Sequence, residues 1–322
     1  MLFGLRFSIM DFIKKRSGER EMKTLSQKIT ELKNAKNAVI LAHYYQTEDI
    51  IDIADFVGDS YALSKQANET DAEIIVFCGV RFMAESAKIL SPDKKVLLPA
   101  EDAGCPMADM VTPADIKRLR QQHPDAVVVC YVNSSYEVKA QCDVCVTSSN
   151  AVKIISALQE ERVVFVPDQN LANYVARQLP GKHIIPFAGF CIVHHRLNAL
   201  DVDKSRQAMP DAKLLVHPEC PLEVIDKADF VGSTAQIISH AGQSPHKRFL
   251  IGTEEGILYT LKKENPDKEF YLLSPKLFCV NMKRTKLEDV YQALEREQHE
   301  IVLDKDTMDK ARTSLDRMLM MA

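Results

Sequence analysis

The side chains most able to do chemistry in this 322-residue chain are its eight cysteines, Cys78, Cys105, Cys130, Cys142, Cys145, Cys191, Cys220 and Cys279. A chain of this length does not need disulfides to hold a core. In a reducing compartment its thiols serve as buried apolar groups, metal ligands or nucleophiles. Cys105, Cys191 and Cys279 share a context: each follows a short apolar run (KVLLPA, HIIPFA and FYLLSP), and they lie 86 and 88 residues apart. No linear metal motif has this spacing, so they can act together only if the fold gathers them. Three thiolates suit few centres. Structural zinc takes four ligands in a closed tetrahedron. A [4Fe–4S] cubane takes cysteine thiolates at its iron corners, so three cysteines leave one iron without a protein ligand. An open metal acts as a Lewis acid on a substrate oxygen, which suits dehydration or carbonyl chemistry. On spacing alone, a three-cysteine zinc site and a site without metal stay open.

The elements that would gather them are visible as a repeat. AVILAHYYQ (38–46), AVVVCYVNS (126–134) and AKLLVHPEC (212–220) are apolar runs ending in polar or aromatic residues, offset by 88 and 86. ADFVGDS, CDVCVTS and ADFVGST recur at the same offsets, and EIIVFCG, RVVFVPD and RFLIGTE follow, the middle one a residue later in phase. Helical stretches alternate with them, the pattern of parallel sheets covered on both faces. The reading is an α/β protein of three pseudo-equivalent parallel-sheet units around a pseudo-threefold axis. Their expected limits are 22–105, 106–191 and 192–284, with an extension at 1–21 and a helical tail at 285–322 that packs back on unit one and closes a ring.

Ligands bind beyond the carboxyl ends of strands in such sheets, so equivalent strand ends should face one centre. The first strands end in His43-Tyr44-Tyr45, Tyr131-Val132-Asn133 and His217-Pro218-Glu219. These supply imidazole, phenol, amide and carboxylate for acid–base work. The second strands end at Ser60, Ser148 and Thr234, each read as a hydroxyl N-cap. Helix starts also bind anions, so three of them would suit a ligand with several carboxylates or phosphates. His194 and His195 follow Cys191, and one of them is expected to face the site. Cys78, Cys130, Cys142 and Cys145 align with apolar strand positions and read as core thiols. The CDVC spacing (142–145) is otherwise that of a redox pair or half a zinc site. Cys220 is undecided.

These residues resemble a known family. AHYYQ, ADFVGDSYALSKQA, GCPMADM, CYVNSS, TSSNAV, PDQNLA, GFCIVHH, HPECP, GSTAQII and GTEEG look like quinolinate synthase from about residue 22 to about 285. The resemblance implies three α/β domains in a triangle around one [4Fe–4S] cluster per chain, held by Cys105, Cys191 and Cys279. It implies condensation of iminosuccinate with dihydroxyacetone phosphate to quinolinate, phosphate and water, in NAD biosynthesis. Iminosuccinate-binding positions fall on His43, Ser60, Tyr131, Val132, Asn133, Ser148, His217, Pro218, Glu219, Ser233 and Thr234. Tyr45 and His194 match further active-site positions. His43, Tyr45, Tyr131, His194 and Glu219 are the catalytic candidates. Some members carry an extra cysteine pair beside the last ligand. Here the run is CVNMK (279–283), so no redox switch is expected at that point.

Composition narrows the partners. Lys+Arg 41 against Asp+Glu 45 gives −4, with no basic block for neutralising nucleic-acid phosphates. No apolar run approaches the ~18–20 residues of a membrane span. The N-terminus is apolar and then basic, the reverse of a secretory signal. A cytoplasmic enzyme is expected, in transient contact with an aspartate-oxidising enzyme that supplies iminosuccinate. Two rival readings are a zinc aldolase using His43, His217 and Glu219, and a non-catalytic iron–sulfur sensor of a small dicarboxylate.

Overall fold

The structure, a computed structural model, describes residues 25–322. The expected extension at 1–21 lies outside the described residues. Unit one runs α1 (25–35), β1 (Ala38–His43), α2 (Glu48–Ile53), β2 (Phe56–Gly58), α3 (Ser60–Glu69), β3 (Ile74–Cys78), α4 (Arg81–Leu90) and β4 (Lys95–Leu97). Unit two repeats the order with α5 (Pro113–Gln122), β5 (Val127–Tyr131), α6 (Tyr136–Lys139), β6 (Val144–Val146), α7 (Ala151–Ala157), β7 (Arg162–Val166), α8 (Gln169–Gln178) and β8 (His183–Pro186). Unit three follows with α9 (Ala199–Ala208), β9 (Lys213–Val216), α10 (Leu222–Ile225), β10 (Phe230–Val231), α11 (Thr234–Gln243), β11 (Arg248–Gly252), α12 (Ile257–Glu264) and β12 (Glu269–Leu272). Each sheet is four-stranded and all-parallel, in the same order: β2-β1-β3-β4, β6-β5-β7-β8 and β10-β9-β11-β12. The fold is α/β with three similar units. Helices on both faces explain why β3, β5 and the inner part of β7 bury every residue rather than alternating.

One repeated device sets the register of the first two strands. Asp55, Asp143 and Asp229 precede the second strand of their units. Their carboxylates accept the N–H of Ile40, Val128 and Leu214 at 2.8, 2.7 and 2.8 Å. A basic residue of the helix that enters each unit (α1, α5 or α9) pairs with each: Lys33, Arg120 and Arg206. The carboxylate takes the donor that the short second strand leaves unpaired.

The tail closes the arrangement in two steps. In α13 (Leu287–Arg296), Leu287, Val290, Ala293 and Leu294 pack on Ile29, Ile40 and Val76 of unit one. Residues 299–301 then run antiparallel along β4, with Leu98 N–H donating to His299 O and Ile301 N–H to Val96 O, so the sheet edge is covered. Helix α14 (Lys305–Met321) goes further than the sequence suggests. It packs on α6, β6 and α7 of unit two as well as α4 of unit one. Its buried stripe (Ala311, Ser314, Leu315, Met318) fills the seam between the two units. The repeat could not reveal that placement, because a fourth entering helix has no strand of its own to follow. Among the described residues, no helix is long and apolar enough to cross a membrane.

Candidate active site

The first strands of all three units aim at one centre, and the loops after the fourth strands converge beside it. Cys105, Cys191 and Cys279 line a single cavity of about 140 Å³, with Tyr45, Asn133, His194, Glu219 and Glu254. Each thiol comes from a different unit. Phe82, Val80, Ile192 and Phe278 supply apolar walls.

The cysteine loops are anchored by two acids that the sequence reading passed over. Asp168 accepts the Cys191 N–H and Glu254 the Cys279 N–H, each at 3.1 Å. Both follow the third strand of their unit, at the same offset of 86, so the repeat carried the signal. Unit one has Val80 there, and the Cys105 loop is fixed through backbone instead, with Arg81 N–H donating to Ala103 O at 2.8 Å. Lys283 ties the third loop inward: its ammonium lies 3.1 Å from Glu254 and donates to Tyr45 O at 2.5 Å. Gly256 permits this closeness, since a Cβ there would stand 2.7 Å from Tyr45 Cα.

A hydrogen-bond chain crosses all three units. Thr234 donates to the Tyr45 hydroxyl at 2.8 Å, and Tyr45 meets Thr253 Oγ1 at 2.6 Å. Thr253 meets His194 Nε2 at 2.9 Å, and His194 Nδ1 lies 2.7 Å from Glu219 Oε2. The Tyr131 phenol bonds the same carboxylate from unit two. The Oε1 atom of Glu219 and the Oδ1 atom of Asn133 are buried with no partner among the described residues. Both residues line the cavity, so these acceptors are left for a ligand.

The protonation states follow from burial. Burial opposes ionisation of Glu219, but His217, His194 and the hydrogen bonds from His194 and Tyr131 outweigh it and hold the carboxyl near 2. Burial lowers His43 to about 3, aided by Lys283. It lowers His217 to about 3 against the pull of Glu219. Both rings accept a backbone N–H at Nδ1, from Tyr45 at 3.1 Å and Glu219 at 3.3 Å, a repeat of one geometry in units one and three. Burial pushes the Tyr45 and Tyr131 phenols well above their ordinary value, so both stay donors. Near neutrality Glu219 is a carboxylate, His43 and His217 are neutral, and the Tyr45 and Tyr131 phenols are protonated.

Ser60, Val132, Ser148, Pro218, Ser233 and Thr234 do not line this cavity. Val132, Pro218, Ser233 and Thr234 are buried. Ser148 meets His217 Nε2 at 3.2 Å, and Ser148 and Pro218 border a separate cleft. Ser60 is half-buried and lines neither space. His194 turns inward, whereas His195 is exposed and bonds Asn170 at 3.0 Å. Cys78, Cys130, Cys145 and Cys220 are buried; Cys142 is partly exposed.

The N-cap expectation needs correction. Ser60 and Thr234 are the first helical residues, and the caps are Asp59 and Ser233. In unit two α7 begins later, at Ala151, leaving Ser148 in the loop. Asp59 already places a carboxylate at the start of α3 and accepts from Ser233 at 3.2 Å. That helix start is therefore occupied by the protein's own anion.

The donor set fits a thiolate-bound centre. Burial raises Cys105 to about 12 and pushes Cys191 and Cys279 up, so the thiols are neutral until a cation displaces their protons. Cys191, His194 and Glu219 also place ligand atoms within 4.8 Å of one another, a group that could hold a metal ion.

Comparison with known proteins follows the same line. The family model described as Quinolinate synthetase A protein matches residues 27–320. The chain is 60% identical over 291 residues to the quinolinate synthase of Alkaliphilus metalliredigens, covering 90% of this chain and 96% of that one. It is 53% identical to the enzyme of Caldicellulosiruptor saccharolyticus, covering 93% and 99%. It is 49% identical to that of Aquifex aeolicus, covering 94% and 95%. On this similarity, spread over three repeated units and their shared centre, the chain belongs to the quinolinate synthase family.

Proposed function

We propose that this protein condenses iminosuccinate with dihydroxyacetone phosphate to quinolinate, phosphate and water, as a cytoplasmic step of NAD biosynthesis. The observation that carries the reading is one thiol from each unit on a single cavity, beside a buried carboxylate with a free oxygen. Cys105, Cys191 and Cys279 would hold a [4Fe–4S] cluster. When bound it supplies a Lewis-acidic iron that polarises a substrate oxygen.

The protein's own groups do the rest. Asn133 and the Tyr131 phenol orient the dicarboxylate, with Ser148 and His217 behind them. Glu219 offers Oε1 as acceptor for the proton that must leave carbon before a carbon–carbon bond can form. A dianionic ligand beside it raises its basicity. His194 sits between Glu219 and Thr253 and moves protons along the chain to Tyr45. The apolar walls exclude water, which protects an imine from hydrolysis. Iminosuccinate is short-lived in water for the same reason, so transient contact with the aspartate-oxidising enzyme that makes it is part of the proposal.

A zinc centre on His43, His217 and Glu219 is disfavoured. Both imidazoles spend Nδ1 on a backbone N–H, and His217 Nε2 faces Ser148. The test is anaerobic purification with metal, sulfide and product assays. Iron, sulfide and quinolinate are the expected result. One zinc per chain, or binding of the dicarboxylate without turnover, overturns the reading.

A further inference from the structure

A second space opens beside the catalytic cavity, and its chemistry is different. It is a cleft of about 710 Å³ between the turn after β1 in unit one, the start of α12 in unit three and the loop after Cys279. Phe278 borders both spaces. Four lysines line the cleft, Lys262, Lys263, Lys283 and Lys286, against two glutamates, Glu48 and Glu255. On a chain of net charge −4 this is a local excess of positive charge. Two of the lysines are spent. Lys263 pairs with Asp52 at 2.8 Å, and Lys283 with Glu254 and the Tyr45 carbonyl. The other two are available: Lys286 Nζ donates to Lys283 O alone, at 2.8 Å, and Lys262 makes no hydrogen bond or ion pair among the described residues.

Two polar side chains on the same lining have unused hydrogen-bonding capacity. Gln46 is 1% exposed; its Nε2 donates to Met282 O at 2.6 Å, while its Oε1 is buried with no partner. Thr47 stands at the N-cap of α2, yet its side chain makes no cap bond, and Oγ1 is buried with no partner. Buried polar atoms left unpaired in this way call for a partner from outside the chain. We propose that this cleft binds a phosphate monoester of a hydroxylated carbon chain.

The lining sets that class. Lys262 and Lys286 meet the phosphate as point charges, and the Thr47 hydroxyl donates to it. Gln46 Oε1 is an amide oxygen and can only accept, so it takes a hydroxyl of the carbon chain. Inorganic phosphate fills the cationic part alone. The ester has two sources. One is dihydroxyacetone phosphate, which carries both a hydroxyl and a phosphate; the shared Phe278 wall puts the cleft next to the cavity it must enter. The other is a separate phosphorylated metabolite, acting through Lys286, which holds the Lys283 carbonyl, and Lys283, which holds Tyr45. Only the first source rests on the catalytic function proposed above.

Calorimetry on the anaerobic, iron-loaded enzyme with glycerol 3-phosphate, which has hydroxyls and a phosphate but no carbonyl to react, tests the site. The expected result is saturable binding, tighter than that of inorganic phosphate and weaker as salt rises. The Lys262→Gln, Lys286→Gln double variant should bind about tenfold more weakly and Thr47→Val several-fold more weakly, with cluster absorbance unchanged in both. Initial rates separate the sources. Inhibition by glycerol 3-phosphate that triose phosphate relieves, and that the double variant loses, identifies the substrate as the occupant. An effect on rate that excess triose phosphate does not relieve, and that the double variant loses, identifies a separate metabolite. No binding to the wild type, equal binding to the double variant, or inorganic phosphate binding as tightly as the ester overturns the proposal. Calorimetry needs no turnover, so an enzyme that binds the ester here and makes no quinolinate contradicts the catalytic reading and leaves the site standing.

Discussion

Glu219 is the residue on which the acid–base chemistry turns, because its carboxylate takes bonds from His194 and Tyr131 and keeps one oxygen free. Glu219→Gln keeps the shape but cannot accept the proton. Turnover should fall by about 10²–10⁴-fold while iron content stays at the wild-type level. A loss of iron in parallel would assign Glu219 to the metal rather than to proton transfer. His43 makes a separate prediction. Its folded value near 3 lies below the ordinary 6.5, so the unfolded chain takes up a proton that the fold refuses. Stability is unaffected above about 6.5 and declines as pH falls toward 3, by about 1.4 kcal/mol per pH unit for this ring. In His43→Gln the decline between about pH 7 and pH 5 should be shallower by up to one proton in urea titrations. At this scale the sequence was legible wherever the repeat put like beside like: His43 with His217, or the three cysteines. It was silent on Asp168 and Glu254, because unit one carries Val80 there and the match is incomplete. It misplaced the helix caps by one residue in units one and three, where hydroxyls and a carboxylate stand side by side in GDS and GST, and by two in unit two, where Asn150 is the cap.

Elements hold the site through backbone accounting more than through surface charge. Asp143 satisfies the Val128 N–H inside unit two, and Arg120 merely joins it from outside. Asp143→Ala should cost about 1–3 kcal/mol by orphaning a buried donor. Arg120→Ala should cost less than about 1 kcal/mol, as for other exposed pairs. Chemical denaturation of the two variants checks the order, and equal losses would contradict it. Gly256 works at the same scale. A methyl at Gly256→Ala would press on Tyr45 Cα, so that variant should lose about 1–3 kcal/mol and more turnover than iron. The twelve strands among the described residues were legible because short apolar runs recur at nearly constant offsets.

Across the whole molecule, three copies of one unit are turned so that their loops share a centre, and the tail fastens the copies together. Strand addition by residues 299–301 and the buried stripe of α14 bind unit one to unit two. A chain ending at residue 303 should expose the α4 and β6 faces and unfold at lower temperature, read by circular dichroism; an unchanged melting profile would contradict that role. The position of α14 was not legible, because a seam between units has no pattern in either unit alone. Sulfur convergence is the claim on which everything else rests, and iron with acid-labile sulfide per chain, measured anaerobically in the wild type and in the Cys105→Ala, Cys191→Ala and Cys279→Ala variants, tests it most directly. About four of each in the wild type, with collapse in all three variants, is the predicted result; full iron and sulfide in any one of them would contradict it.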